Sequence, residues 1–261
     1  MTLIATQISK HGIVHAADSN VTVVTQQNGI ATVRTDPTPG KKVYDLRPAI
    51  NAALTVAGSY SVGGIDMPTW MGGFLGNQAT IPSVTLEGFA RALSSALEAQ
   101  MTSVEKANGS IVHIAGYVEV GNESHAEFWF VRNVYGILAT GEYDDIRDTF
   151  QVGEDFWSRD CPTDDTMENG AYQLYANGFH EGRMPFMGVA RHLGQFFSDV
   201  WKYPTWNLRP PSSIDGYEKL IRLYMSTVTT LFDICESKAP AIGGNVETVG
   251  IPAPVNAIHR R

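Results

Sequence analysis

The second residue of the chain, Thr2, is the first side chain whose type and position could do chemistry. It directly precedes a β-rich segment, Leu3 to Ile8, and a strand beginning there would hold Thr2 rigidly rather than let it fray. A Thr hydroxyl is a weak nucleophile until a base removes its proton. The α-amino group, with a reference pKa of about 7.7 to 8.0, is partly neutral near physiological pH. A terminal Thr therefore carries nucleophile and base in one residue, provided that Met1 is removed.

The composition argues against several classes of partner. The net charge is -8 and no run of Lys or Arg occurs, which argues against nucleic acid and anionic membranes. No apolar stretch approaches the roughly 20 residues of a membrane span and no signal sequence is visible, so we expect a cytoplasmic protein. Cys161 and Cys235 lack metal-type spacing, and the acidic cluster Asp144, Asp145 and Asp148 is expected to be a solvated loop face. We therefore predict no metal site and no cofactor.

The order of elements is strands, helices, strands, helices and a final strand. A hairpin is predicted at Asn28-Gly29, a helix from Asp66 to Asn77, and a second helix with Thr85 as its N-cap. The remaining predicted elements are strands at Val43 to Leu46, Ala52 to Ala57, "SIVHIAGYVEV", "AEFWFVRN" and Val246 to Ile251, and helices at Phe186 to Val200 and Gly216 to Ser237.

This order favours an α+β fold in which two antiparallel sheets carry helices on their outer faces, a four-layer αββα sandwich. At 261 residues the chain can bury a substantial core, and we predict a single domain over residues 1–261. Residues 163–216 shift towards aromatic residues, Gly and Pro, and are predicted to be an insertion in that domain.

Several motifs, taken in order, resemble the proteasome β-subunit family of N-terminal nucleophile (Ntn) hydrolases. In that family the mature chain begins with Thr and reaches an "AADS"-like motif whose Asp lies sixteen residues later, an interval that Thr2 and Asp18 reproduce without a gap. The "KKV" strand start of the family is Lys41-Lys42-Val43, and its "TMAGG" turn appears as "TVAGS", Thr55 to Ser59. The resemblance covers most of residues 2–153 and, more weakly, the last helix and strand.

The resemblance implies roles for individual residues. Thr2 would be the nucleophile. Lys42 would lower the pKa of the Thr2 hydroxyl and α-amino group, and Asp18 would keep Lys42 protonated. The backbone amide of Gly58 would bind the oxyanion. Substrate-binding roles would fall to Thr22, which aligns the substrate, Val56, a wall of the first specificity pocket, and Ser59 beside it. The implied function is a threonine-type peptidase that cleaves peptide bonds in peptide or protein substrates.

Two loops depart from the family pattern. The supporting "SGS" appears as Gly153-Glu154-Asp155, and the late "DAYSGG" loop appears as "APAIGG", Ala239 to Gly244. The hydroxyls and the carboxylate that usually orient the Thr amine are therefore missing from these loops. The pair Gly153-Glu154 is similar to the Anbu branch, a bacterial relative of the proteasome.

Two other functions stay open at the level of sequence. The chain could be an inactive proteasome-like scaffold, which the departures in the two loops favour, or an amidase, acylase or peptide ligase that uses the same Thr2 chemistry. Family members work as rings or helical arrays, so we also predict a homo-oligomer with an interface drawn from Phe179 to Trp206 and from the helices flanking Asp66 to Gln100. An ATP-dependent unfolding partner is implied by the resemblance alone.

Overall fold

The computed structural model describes residues 2–27, 30–36, 39–78, 85–138, 142–154, 172–178, 180–235 and 242–259. These residues form a mixed α+β structure of several sheets and helices. The predicted turn at Asn28-Gly29, residue Asp155 and Ala239 to Ala241 of the late loop lie outside the described residues.

The described strands run through most of the chain. They are β1 (Leu3–Ser9), β2 (Gly12–Asp18), β3 (Thr22–Gln27), β4 (Ile30–Thr35), β5 (Val43–Asp45), β6 (Ala52–Ala57), β7 (Ser61–Val62), β8 (Ile65–Asp66), β9 (Ile111–Val120), β10 (Glu123–Ile137), β11 (Tyr143–Glu154), β12 (Tyr172–Gly178), β13 (Val246–Pro252) and β14 (Ala257–Ile258).

The first sheet has four antiparallel strands in the order β12-β1-β2-β13. Its inner hairpin, β1 and β2, is fully buried along its whole length. Strand β12 lies within the range predicted as an insertion and was not predicted as a strand; it pairs with β1 from Leu3↔Gly178 to Ser9↔Tyr172. Whether residues 163–216 are an insertion stays a prediction, but part of that range completes the first sheet.

The second sheet has the order β11-β10-β9-β6-β5, and β14 pairs with β10. Its strand pairs are antiparallel except β10 with β14, which are parallel. The acidic cluster at Asp144, Asp145 and Asp148 lies in β11, not in a loop as predicted, and Asp145 binds Arg147 at 2.6 Å. Two two-stranded hairpins, β3-β4 and β7-β8, complete the described strands.

Five α-helices are described, and their ends follow local signals. They are α1 (Met67–Gln78), α2 (Leu86–Gln100), α3 (Ser103–Ala107), α4 (His180–Trp201) and α5 (Ile214–Ile234). The predicted N-cap Thr85 accepts a hydrogen bond from the amide of Gly88, and Ser213 caps α5 in the same way through Gly216. None of the described helices has both the length and the apolar character that crossing a bilayer requires.

Three apolar clusters show where the sheets and helices pack together. Helices α1 and α2 pack on one face of the second sheet through residues such as Trp70, Leu93, Leu54 and Val112. Helices α4 and α5 pack on the first sheet through Phe186, Tyr224, Leu3 and Val14. The third cluster joins residues of both sheets, including Ile8, Ile13, Ala115 and Phe128. The start of β1 and the end of β2, at Leu3 and Asp18, meet at one end of the first sheet.

Candidate active site

Asp18, the last residue of β2, is a fully buried carboxylate with several donors around it. Its Oδ1 accepts hydrogen bonds from the Leu3 amide at 2.8 Å and from Lys42 Nζ at 3.1 Å. Its Oδ2 accepts from the amides of Asn20 at 3.2 Å and Gly243 at 3.3 Å. Burial raises the pKa of Asp18, and the Lys42 charge and the amide donors oppose that rise.

Lys42 lies just before β5 and is 1% exposed, which is rare for a lysine. Its Nζ donates to Asp18 and to the carbonyl of Asn20. Burial lowers the pKa of Lys42, while the negative charges of Asp18 and, more weakly, Glu247 counteract this. The structure therefore brings together two of the residues that the sequence analysis assigned to one site.

Thr2 is 5% exposed and directly precedes Leu3, whose amide donates to Asp18. The Leu3 amide and the Lys42 ammonium both donate to Asp18 Oδ1. Lys42 Nζ is therefore close to the backbone nitrogen of Leu3, the residue that follows Thr2. Strand alternation places Thr2 on the face of β1 that carries Ile4. Ile4 packs against Val43 and Ala57 of the second sheet, so this face is directed towards the strands that hold Lys42 and Gly58.

The predicted oxyanion donor, Gly58, follows β6 and has a φ of 111°. A Cβ at this position would lie 2.0 Å from the carbonyl oxygen of Gly109, so a side chain has neither the space nor the backbone conformation it needs. The next residue, Ser59, is buried; its amide donates to Ser110 Oγ at 3.4 Å and its hydroxyl donates to the Ser61 carbonyl at 3.2 Å. The turn is fixed from the side of α3 and β9.

The other two predicted substrate-binding residues are placed less directly. Val56 is buried in the cluster between the second sheet and helices α1 and α2. Its amide donates to the Lys42 carbonyl at 3.0 Å, which ties the strand before Gly58 to Lys42. Thr22 begins β3, opposite Thr35 on β4, and its side chain lies outside what the structure describes.

The late loop supports the site through its backbone. The hydroxyl and the carboxylate usual in the family that the sequence resembles are absent from Ala239 to Gly244. In the structure the Gly243 amide reaches Asp18, the Gly243 carbonyl accepts from the Asn20 amide at 3.2 Å, and Asn245 exchanges hydrogen bonds with Ser19. A Cβ on Gly243 would lie 2.4 Å from Asn20 Nδ2, so the Asn20 side chain would have to shift to admit one.

Two contacts to the backbone around Lys42 were not predicted from the sequence. Glu247 on β13 accepts a hydrogen bond from the Lys42 amide at 3.1 Å, and Tyr60 accepts one from the Lys41 amide at 2.9 Å. The contact of Lys42 with Glu247 joins residues 205 apart in the chain, and no local pattern signals it.

A second buried polar network lies between the sheets. Thr6 Oγ1 lies 3.0 Å from His113 Nδ1 and 3.3 Å from His15 Nδ1, and His113 Nε2 lies 2.9 Å from Asn177 Nδ2. Burial lowers the pKa of His15 to about 4 and that of His113 well below its usual value, so both rings are neutral at physiological pH. Within the described ranges, no group of three or more His, Cys, Asp or Glu side chains is arranged to hold a metal ion.

The chain is similar to known proteins at the level of solved structures. No family model matches the chain, and no curated protein matches it. Among solved structures the chain is similar to the Gly-1 mutant of Anbu from Hyphomicrobium sp. strain MC1, at 14% sequence identity and a TM-score of 0.47. That alignment covers 97% of this chain and 82% of the other.

Proposed function

We propose that this chain is an Ntn hydrolase of the proteasome β type, a four-layer αββα sandwich that cleaves peptide bonds with Thr2 as its N-terminal nucleophile. The observation that carries the proposal is the convergence of the Leu3 amide and the Lys42 ammonium on Asp18 Oδ1. It ties the start of β1 to a buried lysine, as a catalytic terminal Thr requires. The layer order supports the fold, because helices pack on the outer face of each sheet and a third cluster joins the sheets.

In the proposed reaction, Met1 is first removed. The Thr2 hydroxyl then attacks the carbonyl carbon of the substrate while the α-amino group takes the hydroxyl proton. The Gly58 amide binds the developing oxyanion, and removal of one such donor costs about 3 to 4 kcal/mol in other acyl-transfer enzymes. The proton passes to the leaving amine, which departs and leaves an ester on Thr2. A water molecule, deprotonated by the same amine, then hydrolyses the ester and restores the enzyme.

The charge of Lys42 favours this sequence of steps. A buried ammonium next to Thr2 lowers the pKa of both the hydroxyl and the α-amino group, so more of the amine is free to act as a base. Asp18 keeps the ammonium charged despite its burial. Peptide or protein chains are the proposed substrates, with an apolar residue preferred in the pocket beside Val56.

Intact mass and covalent labelling test this function together. We expect a purified chain without Met1 that gains one adduct from a short peptide epoxyketone, because the reagent needs both a hydroxyl and a free amine on one residue. Thr2→Ala should abolish the adduct and the turnover of peptide amides, and Thr2→Ser should keep part of both. A chain that retains Met1 contradicts the proposal and favours the inactive scaffold. Turnover that survives Thr2→Ala contradicts the role of Thr2 as the nucleophile.

Hydrolysis and acyl transfer can be separated in the same assay. We expect the acyl group to pass to water even when a free amine acceptor, such as a glycine amide, is present. Formation of the new amide as the main product would assign the chain to the ligases that share this chemistry. Self-assembly and an ATP-dependent unfolding partner remain part of the proposal, and the first is tested below.

A further inference from the structure

We propose that Glu247 is a positioning residue for Lys42. Its carboxylate holds the Lys42 backbone amide and is a second carboxylate beside the Asp18–Lys42 pair. This inference rests on the proposed function, because it concerns the lysine of the same site.

The backbone of Lys42 is held from two directions. Its carbonyl accepts from the Val56 amide at 3.0 Å, which continues the pairing of β5 with β6. Its amide donates to Glu247 Oε2 at 3.1 Å. Glu247 belongs to β13 of the first sheet, so this side chain connects the edges of the two sheets at the residue that carries the ammonium.

The register of the first sheet directs Glu247 towards Lys42. Glu247 pairs with Ala17 on β2, and Ala17 pairs with Ile4 on β1, so the three residues form one row across the sheet. Paired residues point to the same face. Ile4 and Ala17 pack against Val43, which places the row on the side of the second sheet.

Glu247 also affects the charge balance around Lys42. The Asp18 carboxylate accepts hydrogen bonds from three backbone amides, those of Leu3, Asn20 and Gly243, as well as from Lys42. These amides stabilise part of its negative charge, so Lys42 is not its only partner. Glu247 adds a negative charge that raises the pKa of Lys42 against the effect of burial. The other titratable groups nearby are Lys41, Tyr44 and Tyr60. The pKa of Tyr60 is raised by its burial and by the negative charges of Asp66, Glu247 and Asp36.

Tyr60 provides a matched control within the same segment. Its hydroxyl accepts from the Lys41 amide at 2.9 Å, one residue before the amide that Glu247 holds. Tyr60→Phe therefore removes one hydrogen bond to the backbone and no negative charge. Glu247→Gln keeps an oxygen that can accept from the Lys42 amide and removes only the charge.

Direct titration of Lys42 tests the inference without relying on activity. The full chain is labelled with lysine carrying ¹³C at Cε, and the Lys42 resonance is assigned with Lys42→Arg. In Glu247→Gln we expect the pKa of Lys42 to fall by about half a unit to one unit. Glu247→Asp should restore most of the difference, and Tyr60→Phe should leave this pKa unchanged.

The rate of epoxyketone addition to Thr2 gives the functional reading of the same variants. The ammonium form of Lys42 assists the reaction, so the rate of addition should fall at alkaline pH as Lys42 loses its proton. This fall should move to lower pH in Glu247→Gln and stay in place in Tyr60→Phe. An unchanged Lys42 pKa in a folded Glu247→Gln chain overturns the inference, whether or not Thr2 reacts. A wild-type chain that forms no adduct, while its Lys42 pKa still depends on Glu247, overturns the proposed function alone.

Discussion

The buried ion pair of Asp18 and Lys42 sets the behaviour of the site at the scale of single residues. Moving two charges out of water is costly, and their attraction offsets this only when geometry and further hydrogen bonds are favourable. Here both conditions hold, because the carboxylate also accepts three amide donors and the ammonium also donates to the Asn20 carbonyl. Loss of one partner would leave the other buried without its counter-charge.

A double-mutant cycle on the pair tests this coupling. We expect Asp18→Asn and Lys42→Met each to lower the free energy of unfolding by about 3 to 5 kcal/mol, because each leaves one buried charge unpaired. The double variant should cost much less than the sum, and its peptide turnover should be no lower than that of either single variant. Urea denaturation measures the first quantity, and additive losses would show that the two residues act separately.

Gly58 provides a test of the turn that carries the proposed oxyanion donor. Gly58→Ala should destabilise the fold by about 2 kcal/mol or more, because both the positive φ and the close Gly109 carbonyl oppose a side chain. Gly64→Ala is the control: its φ is 79° and nothing lies within 4 Å of the added Cβ, so only a backbone cost of about 1 kcal/mol is expected. Thermal unfolding of the two variants compares them, and equal costs would contradict the steric argument.

Glu105 joins separate elements, and its role belongs to the scale of the element. Its carboxylate accepts from the Ser61 hydroxyl at 2.7 Å and from the amides of Gly63 at 2.9 Å and Gly64 at 3.0 Å, which form the β7–β8 hairpin. It also accepts from the Thr102 amide at 2.8 Å within the capping box of α3. These donors lower the pKa of Glu105 to about 2 despite its burial. One side chain therefore holds the hairpin after Gly58 against a helix.

Glu105→Gln should lower the free energy of unfolding by about 1 to 3 kcal/mol near neutral pH, because an amide cannot accept all of these hydrogen bonds. The folded pKa lies below the ordinary value of 4.5, so the stabilisation is complete above pH 4.5 and is lost as the pH falls towards 2. Urea midpoints between pH 3 and 7 should show this loss in the wild type and a smaller one in the variant. Glu87→Gln, which affects only an exposed pair with Arg91, is the control and should change little.

The elements predictable from sequence were those with local signals. Helix α2 begins after its predicted cap, Thr85, and β6 has the predicted bounds, Ala52–Ala57. Strand β12 was missed because its place depends on pairing with β1, about 170 residues earlier in the chain, and its own sequence lacks a clear alternation. The site divides in the same way: Thr2, Asp18, Lys42 and Gly58 flank predicted strands, whereas Glu247 reaches Lys42 only through the crossing of two sheet edges.

At the scale of the whole molecule, two buried histidines connect the sheets. His15 on β2 and His113 on β9 share Thr6 of β1, and His113 packs edge-on against Phe128 and Phe130. Protonation of either ring would place a charge in this layer. The contact between the sheets is therefore expected to weaken in acid.

The pH dependence of global stability tests this expectation. The pKa of His15 is about 4 in the folded chain and 6.5 ordinarily, so the unfolded chain binds more protons between these values. Stability should be complete above pH 6.5 and fall by about 3 kcal/mol by pH 4, with His113 adding to the loss. His15→Gln should reduce the slope of unfolding free energy against pH in this window. An equal slope in wild type and variant would contradict the assignment.

Assembly is the remaining prediction at this scale. Apolar side chains are exposed on and after α4 and on α5; they include Met184, Phe196, Tyr203, Trp206 and Ile234. We expect light scattering to give a multiple of the 28.5 kDa chain mass, and Phe196→Glu, at a residue 58% exposed, to reduce that multiple. Val255→Glu is the control, because Val255 is also exposed but lies outside this region. A single-chain mass at all concentrations would contradict the predicted homo-oligomer.

The strand order of the first sheet has a consequence for synthesis on the ribosome. Strand β1 is synthesised first, but one of its two neighbours in the sheet is the late strand β12. The outer neighbour of β2 is β13, which ends at Pro252 and is synthesised later still. The β1–β2 hairpin, with its apolar face, must therefore remain without its flanking partners until nearly the whole chain has emerged. Such long sequence separation slows folding and exposes strand edges to other nascent chains. Newly made protein should consequently depend on holding chaperones more than its final stability would suggest, and release of a chain stopped before Val246 should yield aggregates.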